Sequence, residues 1–186
     1  MESEKQTKEW RKEQSWYTTG KKNECEKFQT LQIEQIVDAS LIKTGKRLRK
    51  GPIVKLEINP HPFHSQDAFL WTEDFDGWAN LQGYDVYFNL KFVVGKGGAQ
   101  TRSLKLVFDF VDTQLKYLVQ HKNEFNIFVN ILDGDESFQK RKYIEYLLEL
   151  PEYEEVKDFV FIGDLYLFEN WWKRMVAATV LKTISN

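Results

Sequence analysis

Cysteine is nearly absent from the sequence. Cys25 stands alone in 186 residues, which excludes an internal disulfide and a cysteine-based zinc site within one chain. The flanking carboxylates of Glu24 and Glu26 argue against a reactive nucleophile at that position. Histidine is scarce as well, with only His61, His64 and His121. The first two form a His-x-x-His pair in NPHPFHS, but no further ligand stands at a matching spacing, so they read as loop histidines. No apolar run approaches the roughly 20 residues of a membrane span. The polar opening MESEKQTKEWRKEQ has no apolar core behind its basic residues, unlike a signal peptide. A soluble, cytoplasmic protein without a membrane partner is expected.

What the chain does have is aromatic and charged residues, at 15% and 29%. Aromatics recurring along a chain of this length suit one packed domain. Residues 1–25 read as a flexible or helical arm and residues 26–186 as the single domain. The net charge of -2 conceals an asymmetry. Residues 1 to 55 carry thirteen Lys or Arg against eight Asp or Glu, and the remainder is negative by seven. Lys43, Lys46, Arg47, Arg49 and Lys50 form one basic cluster. Lys91, Lys96, Arg102 and Lys105 form a second with no carboxylate between them. Such patches on an otherwise acidic chain suit a localised polyanion footprint, or, for the first cluster, a solvated loop.

Hydrophobic periodicity orders the elements. Ile33, Ile36, Val37, Ser40 and Leu41 predict an amphipathic helix over about 26 to 42, ended by Gly45. PIVKLEI alternates as a half-buried strand. AFLWTEDFDG and GYDVYFNLKFVV read as two antiparallel strands around a turn at Gly77. GKGGAQ is a glycine turn lacking the GKS or GKT ending of a phosphate-binding P-loop. Thr101 or Ser103 can cap the helix after it, whose Leu104, Val107, Phe108, Val111, Leu115 and Leu118 share one face. NIFVNIL is the pattern of a strand buried on both faces. A helix over about Phe138 to Leu150, a buried strand in DFVFIGDLY and a closing helix follow. The expected class is α/β, a mixed central β-sheet flanked by helices on both faces.

Strand alternation places Asp85, Tyr87, Asn89 and Lys91 on one face, opposite an apolar core face. The same rule groups Thr72, Asp74 and Asp76 on the preceding strand. Phosphodiester hydrolysis needs a divalent cation on oxygen ligands, an activated water, and positive charge against the phosphate. Asp74 or Asp76 can supply the oxygens and Lys91 the charge. The turn leading to Arg102 offers backbone N–H groups near a helix N-terminus. The other reading of each residue is ordinary: solvated turn acids and an edge lysine. Asp133 and Asp135 read as strand-end caps or positioning groups, and Trp171 and Trp172 as core.

The pieces EDFDG, NLK, GKGGAQTRSL, NILDGDE and FIGDLYLFENWW, taken in order over roughly residues 70 to 175, resemble type II restriction endonucleases and, more broadly, the PD-(D/E)xK nuclease superfamily. The resemblance implies a restriction-endonuclease-like fold, magnesium-dependent cleavage of double-stranded DNA at a short specific sequence, and a homodimer. Asp76 looks like the first aspartate of the signature, with Asp74 as alternative, and Lys91 like its lysine. Asn89 stands where Asp or Glu is usual. With Asn89 as catalytic residue and metal ligand beside Asp74 and Asp76, one metal ion is favoured over two, and Glu34, Glu73 or Asp85 could supply the missing acid. Gln100, Thr101, Arg102 and Lys96 would contact DNA. The departure at Asn89 also motivates a second expectation, a DNA-binding protein on a nuclease-like fold that does not cleave.

Overall fold

A computed structural model describes residues 12–13, 24–58, 67–93 and 97–184. Helix α1 (Glu24–Val37) is followed by three short strands, β1 (Lys46–Arg49), β2 (Lys55–Ile58) and β3 (Trp71–Asp74). Strands β4 (Gly77–Leu81) and β5 (Tyr84–Phe92) lead into the long helix α2 (Gly98–Gln120). Strand β6 (Asn126–Asp133), α3 (Asp135–Glu145), β7 (Val160–Gly163) and α4 (Leu165–Ile184) complete the order. The chain is thus α/β, as its periodicity predicts, but it has two sheets. One is mixed, in the order β4-β5-β6-β7, and the other antiparallel, in the order β2-β1-β3.

The mixed sheet is buried on both faces, because the helices that connect its parallel strands, α2 and α3, lie on one face while α1 and α4 cover the other. Every residue of β6 is buried. Alternation then sorts the side chains. Tyr87, Phe128, Leu132, Val160 and Ile162 join a core with Val107, Val111 and Leu115 of α2 and with Leu48 and Phe75 from the small sheet. Val86, Phe88, Leu90, Val129 and Phe161 join another with Ile33 of α1 and Leu165, Phe168 and Trp172 of α4. Trp172 is core, as expected, and Trp171 packs beside it.

Several boundaries differ from expectation, each for a local reason. Helix α1 ends at Val37 rather than 42, because Asp38 takes a left-handed φ of 53°. The basic run KRLR is not a loop but strand β1, anchored by buried Leu48. The antiparallel partner of β5 is GWANL, not WTED. The turn between them is Gln82–Gly83, both left-handed at φ 54° and 83°, the geometry of a two-residue hairpin. Helix α2 opens at Gly98 after Gly97, with no side-chain cap, so neither Thr101 nor Ser103 precedes it. Helix α3 occupies Asp135–Glu145 rather than Phe138 to Leu150, and 3-10 turns follow it. Gly134 before α3 has φ 102°, and a Cβ there would meet the Val93 carbonyl oxygen at 2.2 Å, so only glycine fits. Among the described residues no helix is long and apolar enough to cross a membrane. Of the N-terminal arm, residues 1–11 and 14–23 lie outside the described residues, as do His61 and His64.

Candidate functional site

The chain changes sheets between two consecutive residues. Phe75 N–H donates to the Lys46 carbonyl of the small sheet, at 3.1 Å, and Asp76 N–H to the Phe88 carbonyl of the mixed sheet, at 2.8 Å. Phe75 makes this fork rigid. It is buried and stacks on Phe128 at 5.4 Å. At the crotch, the Asp76 carboxylate accepts the Leu90 N–H through Oδ2, at 2.6 Å. Asp76 therefore stands in for backbone at the point where β3 leaves, and its Oδ1 takes no hydrogen bond among the described residues.

Two further side chains pair across the same fork. Lys91, near the end of β5, reaches Glu73 of β3, Nζ to Oε2 at 2.5 Å, so the ion pair ties the two arms of the fork. Burial pushes the Asp76 carboxyl up to about 6, against the lowering pull of the Leu90 N–H and of Lys91; the charges of Glu26 on α1 and of Asp74 push it further up. A carboxyl that titrates near neutrality among other acids is one that a cation would relieve.

Behind the fork, Gln29 of α1 links the carboxyl ends of two parallel strands. Its Nε2 donates to the Lys91 carbonyl at 3.0 Å and to Asp133 Oδ2 at 2.8 Å. Asp133 is also raised to about 6, chiefly by burial, with Gln29 and the Leu165 N–H holding it down and Asp164 raising it. Sequence reasoning missed Gln29. The available signal was its place on the apolar face of α1, one helical turn before Ile33, where a polar residue needs a buried partner.

The expected polar row on β5 does not form. Asn89 is fully buried, because α2 covers that face. Its Nδ2 donates to Asn130 Oδ1 at 3.0 Å, and Asn130 and Gln114 pair their amides at 2.8 and 3.0 Å. Asn89 is thus part of a buried amide cluster and offers no surface for a metal. Thr72 is buried too, its hydroxyl accepting the Leu48 N–H. Asp74 faces Arg47 at 3.5 Å.

Among the acids that could replace Asn89, geometry selects. Asp85 accepts from Trp78 and Asn80 near the other end of β5, six residues and about 20 Å from Lys91. Glu34 takes the Leu41 N–H after α1. Glu73 alone of the three sits on Lys91. The residues expected to meet DNA, Gln100, Thr101 and Arg102, lie in the first turn of α2, where Thr101 and Arg102 are exposed and bond back to the carbonyls of Gly97 and Gly98. Lys96 lies outside the described residues. The first basic cluster is partly neutralised, with Arg49 twice on Asp67, at 2.9 and 2.7 Å, and Lys46 on the Tyr87 hydroxyl.

No family model, no curated protein and no solved structure matches the chain. The fork carries the functional argument alone.

Proposed function

We propose that the chain is a magnesium-dependent endonuclease of the PD-(D/E)xK kind, with a restriction-endonuclease-like fold, cutting double-stranded DNA at a short specific sequence. The observation that carries this reading is the fork, where the Asp76 carboxyl, raised to about 6, feels the charge of Lys91, and Lys91 in turn pairs with Glu73. The donor set fits magnesium, a hard ion that keeps several waters and needs only one or two carboxylates. Asp76 and Glu73 would hold it, and one ion rather than two matches two acids. Among the described residues no three acids or histidines cluster tightly enough to cage a metal by themselves. The ion, when bound, would supply a polarised phosphate and an acidified water. Lys91 offsets charge that develops on the phosphate. Thr101 and Arg102 offer phosphate contacts. A homodimer would present two forks to the two strands.

Incubation of the purified chain with phage DNA and magnesium should yield discrete fragments, and EDTA should abolish them. An uncut substrate at every metal concentration overturns the reading. The second reading, a DNA-binding protein that does not cleave, is favoured by the burial of Asn89, which leaves the signature one acid short. It predicts salt-dependent binding with no magnesium-dependent nicking.

A further inference from the structure

Helix α3 has an outer face that the fork does not use. Ile144 joins the core beneath the helix, and Ser137 is buried as well. At 3.6 residues per turn the opposite side then holds Phe138, Gln139, Lys142 and Tyr143, with Lys140 on its flank, and all five are exposed. Tyr146, in the 3-10 turn after the helix, is exposed too.

The charge of this face is one-sided. From Ser137 to Ile144 there is no carboxylate, in a chain whose net charge is -2. Lys116, Lys122, Lys157 and Lys173 each pair with a carboxylate. Among the described residues Lys140 and Lys142 do not; both ammoniums lie over the Tyr143 ring instead, 5.7 and 5.2 Å from its centre. The nearest acids do not answer them. Asp135 and Glu136 are buried at the helix start, Glu145 is held by Arg141 at 2.9 Å, and Glu149 lies beyond the helix in the 3-10 turn. Backbone bonds set this face beside the fork. Val93 N–H, just past β5, donates to the Asp133 carbonyl at 2.9 Å, and Glu136 N–H to the Val93 carbonyl at 3.2 Å, so α3 starts against the strand that carries Lys91. Lys140 and Lys142 follow within about 6–9 Å along the helix axis.

The polar groups of the face are chiefly donors, two ammoniums and the hydroxyls of Tyr143 and Tyr146, spread along a convex helix rather than gathered in a pocket. Such a row matches a repeating anion, and the phosphates of a nucleic-acid backbone repeat in this way. A protein partner is a poorer match, because lysine is depleted at the centre of protein interfaces. We infer that the outer face of α3 is a contact surface for the DNA phosphate backbone, separate from the fork, with Lys140 and Lys142 as its cations and the Tyr143 hydroxyl as a neutral donor. The inference rests on the reading of the chain as a DNA-acting protein. It extends the footprint of that reading from the fork and the first turn of α2 to α3, and it assigns α3 to holding the duplex and not to reading its sequence.

The test is fluorescence anisotropy of the full chain on a short labelled duplex, in EDTA, across about 50 to 200 mM salt. Lys140→Ala with Lys142→Ala should lower the slope of log affinity against log salt by about 1.8, the value of two lost phosphates, and weaken binding about tenfold at the lower salt. Lys140→Arg with Lys142→Arg, which keeps both charges, should keep the parent slope. Lys27→Ala with Lys173→Ala removes the same charge from α1 and α4, on the other face of the sheet, and should leave the slope unchanged. Circular dichroism checks that each variant is folded. An unchanged slope in the α3 alanine pair, or an equal fall in the α1 and α4 pair, overturns the inference while the binding itself upholds DNA as partner. Absence of binding by the parent at low salt overturns the DNA reading and this inference with it. Binding that depends on α3 in a chain that never cuts with magnesium upholds the inference and overturns the endonuclease reading.

Discussion

The two ends of β5 are both polar, and they differ in whether the polar groups are finished. At its start, Asp85 accepts from Trp78 and Asn80, and the neighbouring Asn126 bonds both the Tyr117 hydroxyl and Glu124. Tyr117 also donates to Glu124, and burial together with that carboxylate pushes its hydroxyl far above the usual range, so it remains a neutral donor. His121 stacks on Tyr117 and bonds the Val54 carbonyl. At its other end, Asp76 and Asp133 are held near neutral titration by burial and neighbouring acids, and the Gln29 Oε1 is buried without a partner. The completed network braces β5 against α2. The incomplete one keeps charge-poised groups at a fork, the condition for binding a cation or moving a proton.

The sharpest break in that comparison is Lys91→Ala. It removes the charge at the fork and leaves Glu73 without its partner, and cleavage in single-turnover assays should fall about 10³-fold. A variant that cuts within a few-fold of the parent would place the chemistry elsewhere.

Asp133→Asn sharpens the comparison through pH. A carboxyl raised from 3.8 to about 6 in the folded state contributes stability below pH 3.8, loses it as pH rises, and contributes none above about 6. The variant lacks this dependence. Relative to the parent, its stability in urea denaturation should therefore improve between about pH 4 and about pH 7, by up to about 3 kcal/mol. A difference that stays constant with pH would show that Asp133 ionises normally.

At the finished end, Asn126→Ala should cost about 1–2 kcal/mol by leaving buried groups without their donor, with no change in the pH or magnesium dependence of any activity. Lys173→Ala, which removes an exposed pair with Glu169, should change stability by less than about 0.5 kcal/mol. Thermal melts check both.

Much of this frame is legible in the sequence. NIFVNIL reads as a strand covered on both faces because every position is apolar or amide, and α2 reads from its single apolar stripe. Asp76 and Lys91 fall in one short stretch of sequence, although the hairpin that brings them near each other is not announced there. Three features are not. WANL is too short and weakly patterned to announce itself as the partner of β5, so the fork at Phe75–Asp76 is hidden. KRLR has one apolar residue, and only tertiary burial of Leu48 makes it a strand. Asn89 is the instructive failure. Alternation assigns polar residues to a wet face, but a central parallel strand has none, and the partner of the Asn89 amide lies 41 residues away at Asn130, which Gln114 holds in turn. Position in a motif pointed to Asn89, and burial points to Glu73 instead.

The measurement that bears most directly on the account is the single-turnover DNA cleavage rate of Asp76→Asn beside that of Asn89→Ser, both checked for folding by circular dichroism. Asp76→Asn should lose about 10³-fold or more, because its acid sits in the fork, while Asn89→Ser should stay within about tenfold, because its amide sits in the core. The reverse order, with Asn89→Ser inactive and Asp76→Asn active, would contradict the assignment of the site to the fork.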